Sequence, residues 1–180
     1  MRKNISDNLN ITLIYLAVVS VVRFKLDLNL LPFWLGGLIG SVILYSDYFF
    51  QVFLVQPELE MSKEAKRRYK TGDYKEVFRY VFDHATEIKS LTFHTILFQV
   101  IFTVFAFFIM TSTSSFLGQG IVVGALLSLL TKQYLEIKLN GRLNDDWFSR
   151  INVNLPPQSQ KIYLLVMAGI LVLLTGFIIK

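Results

Sequence analysis

An aspartate inside a run of apolar residues is the first feature of this chain that could do chemistry. Asp47 stands between Tyr45, Ser46 and Tyr48 in the apolar stretch 30–55. A carboxylate held in lipid is costly, so it marks either a functional site or a forced pairing. At about 1.5 Å of rise per residue, its distance from the end of the stretch puts it roughly 12 Å deep. His94 opens a second apolar stretch, 91–111, within Thr92-Phe93-His94-Thr95, and Ser128 and Lys132 close a third. Equal depth brings Asp47, His94, Ser128 and Lys132 into one third of a helical bundle. Glu87 precedes His94 by one heptad and would share its face on a continuous helix. In the functional reading, Asp47 and His94 are catalytic or metal-binding, with Glu87 a further ligand or Lys132 completing a polar site. In the structural reading, Asp47 pairs with Lys132 or His94 only to satisfy an embedded charge. An Asp–His pair alone falls short of the roughly three protein ligands that a catalytic zinc takes.

The elements that must position these residues follow from composition. Of 180 residues, 53% are hydrophobic, and the mean hydropathy is +0.50. The apolar residues run as long blocks rather than as stripes or alternations, which suits a bilayer better than water. The expected fold is an all-α membrane bundle, one domain over 1–180, with about five spanning segments: 9–22, 30–55, 91–111, 116–130 and 162–179. A spanning helix needs about 20 residues, so 9–22 and 116–130 are short, and 116–130 is expected to be the irregular one. The chain has no cysteine, which excludes disulfides and thiolate metal sites, and only two histidines, His84 and His94. Any metal would therefore lean on carboxylates.

Lys and Arg set the orientation. The connection 56–90 carries Lys63, Lys66, Arg67, Arg68, Lys70, Lys75, Arg79 and Lys89, and the connection 132–161 carries Lys132, Lys138, Arg142, Arg150 and Lys161. The turn Ser112-Thr113-Ser114-Ser115 between them is uncharged. The positive-inside rule puts both basic connections and the N-terminus in the cytoplasm, against the mild dissent of Arg23 and Lys25. Localisation in a cell's inner membrane is the corresponding expectation. The net charge of +5 then reports topology and not nucleic acid, and Glu58, Glu60 and Glu64 among the cations argue further against a nucleic-acid groove. Acidic lipid headgroups are the expected partner of Lys66, Arg67 and Arg68. A second copy or another membrane protein is the other partner class considered.

Within 56–90, Asp73 with Glu76 predicts a capping box. Tyr74, Val77, Phe78, Val81, Ala85 and Ile88 share one face of the amphipathic helix it opens. In the second connection, Trp147 and Phe148 beside Asp145-Asp146 read as an interfacial anchor, and the two carboxylates as a solvated helix start. Gly36 and Gly40 lie on the helical face expected for Asp47. Gly120, Gly124 and Ser128 make a small-residue stripe suited to docking on that face.

The run from Gly36 to Tyr48 resembles a motif of the membrane-bound metal-dependent hydrolase family. That family has a Gly-rich helix ending in Leu-Pro-Asp-x-Asp-His, then Thr-His-Ser, then Gly-x-x-x-His-x-x-x-Asp. Here the first Asp position holds Tyr45, the second keeps Asp47, and the His position holds Tyr48. The second motif persists as Phe93-His94-Thr95. In the third, Gly124 is kept, while Ser128 and Lys132 replace the His and the Asp. The resemblance covers about half the chain and implies a divalent metal, yet Lys132 would put a fixed cation where that metal belongs. Three functions follow in order of expectation. The first is a non-catalytic bacterial membrane protein acting through helix or partner contacts. The second is a hydrolase of a lipid-linked substrate, and the third is a small channel or transporter subunit.

Overall fold

The computed structural model describes residues 2–23, 30–85, 88, 91–151, 153 and 155–179. It is all-helical, with 81% of residues in helices and no strand among the described residues. The helices are α1 (Arg2–Val22), α2 (Leu31–Ile43), α3 (Ser46–Phe50), α4 (Glu60–Lys70), α5 (Tyr74–Asp83), α6 (Ile96–Ser112), α7 (Phe116–Asn140) and α8 (Pro157–Ile179). A π-helical turn, Gln51–Val55, continues α3, and a 3₁₀ turn, Asp145–Phe148, lies between α7 and α8.

Three helical stretches are long and apolar enough to cross a membrane: Leu31–Val55, Phe116–Asn140 and Pro157–Ile178. Two apolar helices, Ser6–Val22 and Ile96–Ser112, are shorter. The shortfall therefore lies in the first and third apolar stretches, not in the first and fourth. The stretch expected to be irregular is instead the central helix. α7 runs unbroken for 25 residues because its polar continuation, Thr131 to Asn140, consists of residues compatible with a helix up to Gly141. Gly141 then adopts φ +75° and caps it with an N–H bond to the Ile137 carbonyl. The second connection accordingly begins at Gly141, and Lys132 belongs to the bundle.

α7 packs most extensively on α2 and also contacts α8, α6 and α1. Backbone touches backbone along the α2–α7 seam. A Cβ at Gly36 or Gly40 would overlap the carbonyl oxygens of Leu117 or Ile121, and one at Gly120 or Gly124 those of Phe33 or Gly37. Small residues permit this approach, and van der Waals packing of the two helices rewards it. Around the seam, Leu16, Phe33, Val123, Leu126 and Leu171 form a buried apolar core.

Helical register does not carry from the Gly36/Gly40 stripe to Asp47, contrary to the expectation that they share a face. The chain tightens at Leu44–Tyr45, where Tyr45, Asp47 and Tyr48 donate to carbonyls three residues back, Val42, Leu44 and Tyr45. It then widens, with the Gln56 N–H reaching the Gln51 carbonyl at 2.8 Å. Each change of pitch turns the following side chains relative to a regular α-helix. Asp47 is thereby aimed at the stretch 92–94 and not into the α2–α7 seam.

α4 and α5 form a helical hairpin about Gly72, whose φ is +82°. The Asp73 carboxylate caps α5 by accepting from the Glu76 N–H at 3.1 Å. The expected face is only partly the buried one: Val77 and Val81 are buried with Phe82, whereas Tyr74 and Phe78 are exposed. α5 also stops at Asp83, so Ala85 and Ile88 lie beyond its face, buried in a cluster with Tyr48, Val52 and Val81. Trp147 and Phe148 are not an interfacial anchor. Both are buried among Leu129, Ile137 and Leu143, because the 3₁₀ turn folds them back onto α7.

Candidate functional site

The residues singled out for chemistry meet where α3, α7, the stretch 91–95 and the 3₁₀ turn converge. Asp47 is wholly buried in the first turn of α3. Its Oδ1 accepts from the Thr92 N–H at 3.1 Å, and its Oδ2 accepts from the Phe93 N–H at 2.7 Å and from His94 Nδ1 at 3.1 Å. A carboxylate with three donors has its charge well dispersed. Its partners belong to a non-helical stretch, 92–95, just ahead of α6, so Asp47 faces irregular backbone and not another helix. That stretch needs it, because the first N–H groups before a helix have no partner of their own. Thr95 caps α6 itself, accepting from the Phe98 N–H.

His94 is nearly buried, between the rings of Tyr48 (5.7 Å) and Trp147 (6.1 Å). Its Nδ1 faces the Asp47 carboxylate, which can only accept, so Nδ1 carries a proton.

Lys132 does not pair with Asp47. Its Nζ donates to the Tyr48 hydroxyl at 2.9 Å and lies 5.2 Å over the Tyr48 ring. One turn on, Glu136 accepts from Trp147 Nε1 at 2.7 Å and from the Asn144 N–H at 3.4 Å. Ser128 belongs to a separate knot. It accepts from Asn8 Nδ2 at 2.6 Å and donates to the Ser41 carbonyl at 3.3 Å, and Asn8 also donates to the Tyr45 hydroxyl at 3.1 Å. The structure thus brings Asp47, His94, Tyr48 and Lys132 together and puts Tyr45 and Ser128 on the other side of Tyr48. Glu87 lies outside the described residues. The continuous helix on which it would share a face with His94 is not formed, because His94 precedes α6 and α5 ends at Asp83.

Two cavities flank the Tyr48–Lys132–Glu136 wall. The larger, of about 430 Å³, is lined by His94, Trp147, Phe82, Asp83 and Asp146 among others, and the smaller, of about 210 Å³, by Asn8, Tyr45, Ser128 and Leu139 among others. Glu136, Trp147 and Asn8 are site residues that the sequence does not single out as such. A signal exists for Glu136, since Lys132 and Glu136 sit four apart and must share a helical face. Asn8 gives no local signal, because its partner Ser128 is 120 residues away.

A divalent metal does not fit this arrangement. Both Asp47 oxygens already accept backbone or imidazole protons, and the Lys132 ammonium sits in the wall where a further ligand would be needed. Among the described residues, no three His, Asp or Glu side chains converge in a metal-binding group. Two of the three cations assigned to lipid are themselves engaged. Arg67 and Arg68 both bond Glu64 at 2.8 Å, and Arg68 also bonds Glu76 at 2.7 Å. Comparison with known families, curated proteins and solved structures finds no match.

Proposed function

We propose that this chain is a multi-pass inner-membrane protein that works by binding, through helix or partner contacts, and not by metal-dependent hydrolysis. One observation carries the non-catalytic half: the Asp47 carboxylate is consumed in fixing the 92–94 backbone and the His94 ring. Supporting the membrane half are the three long apolar helices and the exposed apolar residues on several helices, such as Leu165, Leu173, Phe105 and Ile14. Large exposed apolar surfaces mark membrane or protein contact. The basic connections are assigned to the cytoplasm, with the α4–α5 hairpin at the headgroups. There the exposed rings of Tyr69 and Tyr74, 5.4 Å apart, suit an interfacial aromatic belt. Since Arg67 and Arg68 are tied to acids of their own hairpin, Lys66 is the cation we assign first to acidic lipid.

The test is metal analysis of the purified full chain beside Asp47→Asn. The expected result is no stoichiometric divalent metal in either protein, and a stability loss in the variant. Stoichiometric metal in the parent that disappears in Asp47→Asn would restore the hydrolase reading.

A further inference from the structure

The turn end of the α4–α5 hairpin, residues 64–76, carries five cations and three carboxylates, and its ion pairs are unevenly shared. Glu64 bonds Arg67 and Arg68, Glu76 bonds Arg68, and Asp73 caps α5 through the Glu76 N–H. Among the described residues, no carboxylate pairs with Lys66, Lys70 or Lys75. Lys66 and Lys70 stand four residues apart and so share a face of α4. Lys70 and Lys75 are exposed. They directly follow the exposed rings of Tyr69 and Tyr74, which meet at 5.4 Å across the turn.

This end of the hairpin is joined to the end of a candidate span. Phe53, close to the end of Leu31–Val55, packs edge-on against the Tyr69 ring at 5.6 Å. Leu54 and Val55 beside it are exposed. In the membrane reading above, on which this inference rests, the rings and lysines stand where hydrocarbon gives way to headgroups. Rings with a polar tip favour that level. Unpaired lysines there meet the negative surface potential of a leaflet that holds anionic lipid. The apolar continuation through Leu54 and Val55 fits a bilayer better than a soluble polyanion. We propose that this tip binds the anionic phospholipid headgroups of its own bilayer through Lys66, Lys70 and Lys75, with Tyr69 and Tyr74 seated beside them. Arg67 and Arg68 brace the hairpin instead, since Glu64 and Glu76 take up their charges.

The chain has no cysteine, so Thr71→Cys in the exposed turn takes a single environment-sensitive dye. The full chain is placed in nanodiscs of phosphatidylcholine alone or with increasing phosphatidylglycerol, and the dye emission is followed. A blue shift that saturates with phosphatidylglycerol and is reversed by salt is expected. Each lysine adds about fivefold to docking on an anionic surface, so glutamine at all three positions should lower the docked-to-free ratio about a hundredfold. Arginine at the same positions should retain the shift. Cooperative unfolding checks each variant; should the triple glutamine variant fail to fold, the exposed Lys75→Gln decides alone, with a loss of about fivefold. Equal emission in the two kinds of disc overturns the proposal, as does a shift that the folded glutamine variant keeps. A shift produced by soluble polyglutamate in neutral discs, and not by phosphatidylglycerol, overturns it too. None of these results touches the membrane reading. That reading falls, and this proposal with it, if the chain is recovered outside the discs.

Discussion

The Asp47 carboxylate meets the His94 imidazole at 3.1 Å across 47 positions of the chain, and the same oxygen holds the Phe93 N–H at 2.7 Å. One side chain thus fixes a ring and the backbone on which that ring is mounted. The first turn of α3 is in this way tied to the stretch just ahead of α6.

Replacing that carboxylate should be expensive. Asp47→Asn presents an NH₂ to donors that need an acceptor, and a buried donor left unsatisfied costs about 1–3 kcal/mol. Thermal or denaturant unfolding in detergent should show a loss of that order. A loss under about 1 kcal/mol would mean that the contact contributes no more than a surface pair.

The α2–α7 seam makes a contrast between glycines. Gly124→Ala drives a Cβ into the Gly37 carbonyl, and overpacking of this kind costs roughly 1–3 kcal/mol. Gly169 and Gly176 on α8 have open space where a Cβ would stand, so alanine there should be neutral or stabilise by up to about 1 kcal/mol. Unfolding midpoints of the three variants, ranked side by side, check the seam directly.

Gly141 ends α7 with φ +75°, a conformation in which a Cβ costs about 1–2 kcal/mol. Gly141→Ala should lower stability by that amount, although its added methyl has open space. The same substitution at Gly72, between α4 and α5, should loosen the hairpin while leaving the α2–α7 seam intact. Amide exchange confined to residues 60–83 would report this.

Composition and block hydropathy alone determined an all-helical chain with helices fit to cross a bilayer, because runs of apolar residues have few other stable outcomes. Spacing made the Gly36/Gly40 and Gly120/Gly124 stripes legible, and Asp73 with Glu76 marked the start of α5, since caps and small-residue stripes are local patterns. Only the tertiary structure decided where Asp47 points. A tightening at Leu44–Tyr45 and a widening at Gln51–Val55 rotate the chain by amounts that no periodicity predicts. It likewise decided that Trp147 is buried and that Asn8 reaches Ser128. Hydrogen bonds that long in sequence depend on how helices are stacked, and stacking is a property of the whole bundle rather than of any segment within it.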